Sequence, residues 1–352
     1  MKNTKKTLLF ALALSLATLA LFAQAATPPA DIVGLGFVGH QVADLERSIK
    51  YFEAIDFKLV EGPSKWEVDK ELNQLGNTPN AESRTATMQV QSSVSDVPFR
   101  LILRQYRGID RQDWSTLNSF DLGANHIDLT VDNVSNLLDK LEGMGLLKMP
   151  KIQGLANDRQ QKGAPGAFRS YSFISDPDGL TIENFGVPAP RPGAPPAVRV
   201  SNSTATGQTI DRWGKQTGFN HYAVNVVDPE KARDFYIKVL GGDYPAIEST
   251  TAAQLMQNGW YPQATTKNSL RIELVWFALN KDKTAPPMKF QDINANFSGF
   301  QVKNIETAYA RAKANGASTV TSGGIMKYKG GRAVMIRDSD VGGYIMLWEP
   351  GK

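Results

Sequence analysis

The pattern of apolar and polar residues changes period in the same way at four places along the chain. Residues 35–42 alternate as a strand does, and Asp44 then opens a 3.6-residue spacing that puts Leu45, Ile49 and Phe52 on one face. This predicts a strand, an N-capping aspartate and an amphipathic helix. Residues 219–240 repeat it, with a strand through Tyr222, Val224 and Val226, Asp228 as cap, Pro229 at the first helical position, and Ala232, Phe235, Tyr236, Val239 and Leu240 along the helix. Two diverged copies follow the same plan. One runs from His126 through the cap Asn133 to Leu137, Leu138 and Leu141; the other runs from Phe297 through the cap Asn304 to Ile305, Ala308 and Ala312. Strand-like segments come after each helix, at 86–91 and 99–105, 170–174 and 180–185, 270–277, and 333–336 and 344–348. The expected fold is α+β: four β-α-β-β-β units whose curled mixed sheets form cups floored by strand side chains.

Five prolines from Pro188 to Pro196, followed by Ser201-Asn202-Ser203-Thr204-Ala205-Thr206-Gly207, read as a linker over 188–215, between a domain at 30–187 and a second at 216–352. Upstream of the first domain, Lys2, Lys5 and Lys6 precede an apolar stretch to Phe22 and then Ala23-Gln24-Ala25, the pattern of a Sec signal peptide cut after Ala25. The expected location is the periplasm or the exterior, with no stable membrane insertion after cleavage.

Composition then narrows the chemistry. The 352 residues carry 39 Lys+Arg against 35 Asp+Glu, but the leader holds three of the lysines and no acid, so the remaining 327 carry 36 against 35, or +1. A nucleic-acid partner loses its electrostatic support. With no cysteine there is no disulfide, thiolate metal site, iron–sulfur cluster or cysteine nucleophile, and three histidines allow one ordinary two-His or three-His metal site.

Three motifs carry a resemblance: the Asp44-Leu45-x-x-Ser48-x-x-Tyr51-Phe52 stretch, its partner at 226–236 ending in Phe235-Tyr236, and Asp176-Pro177-Asp178-Gly179-Leu180-Thr181-Ile182-Glu183. The chain resembles the vicinal oxygen chelate superfamily of glyoxalases, extradiol dioxygenases, epimerases and bleomycin and fosfomycin resistance proteins, over nearly its whole length beyond the leader. That resemblance implies ligand positions seven residues before each helix cap and near the end of each unit's last strand. In the outer units these positions hold Phe37 with Ile102, and Phe297 with Leu347; in the middle units they hold His126 with Glu183, and His221 with Glu273. Glu349 follows Leu347 on the same strand face and keeps the fourth unit open as a possible donor.

The survivors are complementary only if the second unit faces the third and the first faces the fourth. We therefore expect one metal site, His126, Glu183, His221 and Glu273, shared between the domains, and one metal-free cup. Two imidazoles and two carboxylates suit a single divalent Fe²⁺, Mn²⁺, Ni²⁺, Co²⁺ or Zn²⁺ with two positions open. Glu183 or Glu273 would also serve as general base. Glu273 fits a solvated strand face nearly as well. Asp128, Thr130, Asn225 and Arg271 share strand faces with the ligands and are expected to meet a small-molecule substrate, Arg271 alternatively forming a structural salt bridge as Arg100 would. His40 points to the helix side, toward packing or a hydrogen bond. The segments 157–166 and 323–331 read as lids or turns. The implied activity is a glyoxalase-like lyase or isomerase, with extradiol dioxygenation or simple sequestration as alternatives, in a monomer built as an internal pseudo-dimer or in a homodimer.

Overall fold

A computed structural model describes residues 29–150, 171–186, 201–203, 209–211, 217–243, 248–251, 255–262, 270–277, 280, 282–338 and 343–351. The expected leader and the segment 157–166 lie outside these. No helix among the described residues is long and apolar enough to cross a membrane.

The first unit comprises β1 (Ile32–Val42), α1 (Leu45–Ala54), β2 (Lys58–Glu61), α2 (Lys70–Gly76), β3 (Glu82–Val90) and β4 (Phe99–Arg107). The second contains β5 (His126–Val131), α3 (Val134–Gly143), β6 (Tyr171–Ser175) and β7 (Thr181–Gly186). Within the expected linker, β8 (Ser201–Ser203) pairs with β9 (Thr209–Asp211). The third unit comprises β10 (Gly218–Val226), α4 (Pro229–Leu240), β11 (Gly242–Asp243), β12 (Glu248–Thr251), β13 (Leu255–Pro262) and β14 (Arg271–Phe277). The fourth comprises β15 (Asn296–Val302), α5 (Ile305–Ala314), β16 (Ser318–Thr319), β17 (Met326–Tyr328), β18 (Gly331–Arg337) and β19 (Tyr344–Glu349). The glycines of 323–331 lie in the turns that flank β17, with Gly323, Gly324 and Gly330 at positive φ.

Each unit's main helix begins at the expected cap. Asp44, Asn133, Asp228 and Asn304 accept from the backbone N–H of Arg47, Asn136, Lys231 and Thr307, each contact contributing about 1 kcal/mol. The helices lay Leu45, Phe52, Leu138, Val239 and Ile305 on a continuous core that spans both halves of the chain. Phe99 of the first unit stacks on Phe219 of the third, with ring centroids 3.8 Å apart.

The sheets cross the linker. One runs β16-β18-β19-β15-β1-β4-β3-β2, the other β11-β13-β14-β10-β5-β7-β6. At the centre of each, the first strands of two units pair antiparallel, β1 with β15 and β10 with β5. Each half of the chain therefore supplies half of each sheet, and the segments between the sheets brace each other. Arg111 donates to the carbonyls of Gln291, Tyr106 and Val42, and Asp292 accepts from the Gln112 backbone N–H at 2.9 Å and from Trp114 Nε1 at 3.1 Å.

The register corrects one expected position. Gly299, two residues beyond Phe297, pairs with Met346, as Asp128, two beyond His126, pairs with Glu183. Met346, not Leu347, is thus the counterpart of Glu183 and belongs to the cup, while Leu347 packs into the core under the helices. Leu347 stands four residues after Gly343 as Glu183 stands four after Gly179, but the paired register begins one residue after Gly343 and two after Gly179, and a slip of one residue moves a strand side chain to the opposite face. Glu349 shares the Leu347 face, where it accepts from the Ile305 backbone N–H and pairs with Arg332.

Candidate metal centre

Four strands carry the site. In the β5–β10 pair His126 stands opposite Ala223 and His221 opposite Asp128; the parallel neighbours β7 and β14 then place Glu183 beside Asp128 and Glu273 beside Ala223. Side chains two residues apart share a face, so all four expected ligands project into one cup. The turn that aims Glu183 is built by Asp176, whose Oδ1 accepts from the backbone N–H groups of Asp178 and Leu180. Gly179 has φ +99° there, and a Cβ would fall 2.6 Å from Ser115 Cα.

One donor atom from each of His126, Glu183, His221 and Glu273 lies within 4.8 Å of the others. His126 Nε2 is 2.9 Å from Glu183 Oε2 and 3.9 Å from Glu273 Oε2; His221 Nε2 is 3.0 Å from Glu273 Oε2 and 3.8 Å from Glu183 Oε2. Donors sharing one ion at about 2.1 Å stand roughly 3–4 Å apart, as these do. All four residues are only 5–6% exposed. His126 Nε2 makes no hydrogen bond despite its short approach to Glu183. Glu273 is as buried as the rest, which removes the solvated-face reading. The donor set, its burial and its convergence fit one divalent ion.

Around this set the imidazoles are backed unequally. His221 Nδ1 lies 3.2 Å from Asn220 Oδ1 and 4.0 Å from Asp128 Oδ1. Beside His126 the register places Ala223 on one strand and Thr181 on the other, neither of them acidic. Arg271, buried beside His221, donates from Nη1 to Asn220 Oδ1, whereas Arg100 beside Phe37 is exposed, so the two arginines do not share one structural role. Asn220 Nδ2 in turn donates to Thr130 Oγ1 at 3.3 Å. The sequence reading missed Asn220; a polar residue beside a ligand histidine was the only local signal. Asn225 directs its Nδ2 at the carbonyls of Ser119, Asp121 and Ala124, and so fixes the segment before β5. Phe120, stacked on Phe277 at 4.1 Å, and Phe173, edge-on to His126 at 6.2 Å, wall the cup.

His40 lies elsewhere, fully buried between the sheets. Its Nε2 contacts Asp176 Oδ2 at 3.0 Å and its Nδ1 contacts Asn296 Oδ1 at 2.7 Å. Burial opposes its charge, but Asp176, then Asp178 and Asn296, outweigh it and raise the imidazole above its ordinary 6.5. Asp178 meanwhile accepts from Ala43 N, Arg47 Nη2 and Ser48 Oγ. The His40, Asp176 and Asp178 cluster is consumed by internal hydrogen bonds.

The other cup is packed with apolar groups: Phe37, Phe297, Phe290, Met335, Met346 and Tyr344. Its floor is reciprocal. Phe37 faces Gly299 and Phe297 faces Gly39 in the β1–β15 register, and a Cβ on either glycine would strike the opposing ring.

Residues 218–344 match the model of the glyoxalase/bleomycin resistance protein/dioxygenase superfamily. Among solved structures, glyoxalase I from Zea mays is 17% identical with a TM-score of 0.57, covering 90% of this chain and 92% of that one. A single-site mutant of the maize enzyme gives 15%, 0.55, 90% and 93%. At these identities the likeness is one of fold. No curated protein matches the sequence. Residues 218–344 thus form a domain of the glyoxalase/bleomycin resistance protein/dioxygenase superfamily, and the chain as a whole shares the fold of maize glyoxalase I.

Proposed function

We propose that this protein is a metal-dependent lyase or isomerase of the glyoxalase-like kind, acting on a small substrate with two adjacent oxygens. The convergence of His126, Glu183, His221 and Glu273 in one buried, aromatic-walled cup carries this reading. A divalent Fe²⁺, Mn²⁺, Ni²⁺, Co²⁺ or Zn²⁺ held by these residues supplies Lewis acidity toward the substrate oxygens. Glu183 or Glu273 takes a proton from the carbon beside them and returns it to the neighbouring atom. Asp128 and Asn220 orient His221, and Arg271 with Thr130 flanks the substrate. Phe120, Phe173 and Phe277 give the substrate an apolar wall to pack against. We infer further that residues 1–25 direct export, and that one chain suffices, since both halves of the site lie within it.

Two measurements test this. Elemental analysis of the purified chain should find about one divalent ion, lost in both His126→Ala and His221→Ala. In D₂O, the loaded protein should exchange the carbon-bound proton of α-hydroxycarbonyl probes, read by NMR, and Glu183→Gln or Glu273→Gln should slow that exchange by roughly 10²–10⁴. Full metal occupancy in His221→Ala, or undiminished exchange in both glutamine variants, overturns the proposal.

A further inference from the structure

The second cup holds a charge that no acidic side chain neutralises among the described residues. Arg104 lies on β4, on the same strand face as Ile102, and is 3% exposed. Its Nε and Nη1 are buried and make no hydrogen bond. The guanidinium carbon stands 5.6 Å from the centroid of Phe297 and 5.8 Å from that of Phe290, which is cation–π contact with the faces of the cup. Directly beside it in the parallel β1–β4 register is Gln41, fully buried, with neither amide atom hydrogen-bonded. The Tyr106 hydroxyl, two residues further along β4, is buried close to Arg104 and Thr78.

A guanidinium cannot shed its proton, so the usual escape of a buried charge is closed to Arg104. Ring faces attract it but leave Nε and Nη1 unsatisfied, and a buried ion without an acidic partner beside an unbonded amide is strongly unfavourable. A fold that keeps both side by side in an apolar cup is complementary to an anion that accepts several N–H groups at once. The walls add a second requirement, because aromatic and thioether side chains favour an apolar body over a hydrated inorganic ion. Phe37 and Ile102 are only partly buried, which leaves the cup approachable from that rim.

We propose that the cup floored by Phe37 and Phe297 is a second ligand site, taking a small organic carboxylate with an aromatic or apolar body, its carboxylate held by Arg104 and Gln41. Planar guanidinium-to-carboxylate contacts are charge-assisted and directional, and Gln41 Nε2 supplies a further donor. This site lies on the other sheet from the metal cluster and stands whether or not that cluster is catalytic.

Benzoate is the probe, titrated calorimetrically into the full chain pretreated with a chelator, so that carboxylates find no metal. Benzamide, of the same shape without the charge, and inorganic phosphate are the controls. We expect one benzoate per chain, binding by benzamide weaker by at least about tenfold, and no binding by phosphate. Arg104→Met should weaken benzoate by at least about tenfold without lowering Tm, while His221→Ala leaves benzoate binding unchanged. Should Arg104→Met fail to fold, Arg104→Lys and Gln41→Leu carry the test, each weakening benzoate in a chain with the wild-type circular dichroism spectrum. Equal binding by Arg104→Met or by both substitute variants, loss of binding in His221→Ala, equal binding of phosphate, or no saturable benzoate binding overturns the proposal.

Discussion

His126 and His221 meet across the central β5–β10 pair with ring centroids 5.8 Å apart and planes inclined by 70°, although they come from opposite sides of the linker. The pair looks symmetric but is supported asymmetrically. Asp128 stands behind His221, and a carboxylate there steadies the ring orientation a ligand imidazole needs. Asp128→Asn should therefore weaken metal binding roughly 10–100-fold, measured by competition with a chelating dye. Unchanged affinity would show that His221 is fixed without it.

Asn225→Ala should behave in the opposite way. Three carbonyls lose their shared donor, so unfolding by urea should show a loss of about 1–3 kcal/mol. Metal affinity should stay within a factor of about three, a change of under about 1 kcal/mol, because the hydrogen bonds of Asn225 run to the 119–124 segment and not to the four ligands.

The reciprocal floor of the second cup predicts an inequality. An alanine Cβ at Gly39 would fall 1.7 Å from Phe297 Cε1, and Phe297 is 2% exposed with nowhere to turn. Gly39→Ala should cost about 1–3 kcal/mol in denaturant unfolding, partly recovered by adding Phe297→Leu. Gly299→Ala should cost less, since the ring it meets belongs to the partly exposed Phe37. Equal costs would mean that the two rings are equally confined.

His40 predicts a pH dependence whose sign follows from its raised imidazole. A group that binds its proton more tightly when folded contributes stability that is fully present below about 6.5 and lost as pH rises through the folded value. Asp178, raised by burial and by Asp176, adds the same sign of dependence beginning near its ordinary 3.8. Thermal unfolding of the wild type should thus weaken as pH climbs above 6.5, and His40→Gln should be less stable at pH 6 but flat over that interval. A wild-type curve that rises there would refute the charged, bridged imidazole.

What the sequence reveals depends on how local the physics is. The caps at Asp44, Asn133, Asp228 and Asn304 are legible because an acceptor side chain placed just before a change of period satisfies its own helix. The two histidines are legible as positions counted from those caps and the two glutamates as positions near the ends of later strands, both through the resemblance to the superfamily. Met346 is not, because its face depends on the length of the turn before β19, and Leu347 differs from it by one residue and one side of a sheet. Asn225 lies on the same alternation as His221, yet the 119–124 carbonyls brought under it by the fold decide what it does. Gln41 and Arg104 continue the alternation that turns Phe37 and Ile102 into the cup, so polar residues on an apolar face are a readable signal. That no hydrogen-bond partner among the described residues meets the Gln41 amide or Nε and Nη1 of Arg104 is a tertiary fact.

The crossing of the sheets also sets the order in which this chain can be made. When synthesis reaches the linker, β1 and β5 exist without β15 and β10, their central neighbours, so two half-sheets wait with a backbone edge exposed. The metal cup can close only after β14 has been added, and the other cup only after β15 and finally β19, through contacts between residues far apart along the chain. A ribosome that stalls at the linker would release two adhesive strand edges, not a smaller version of the protein.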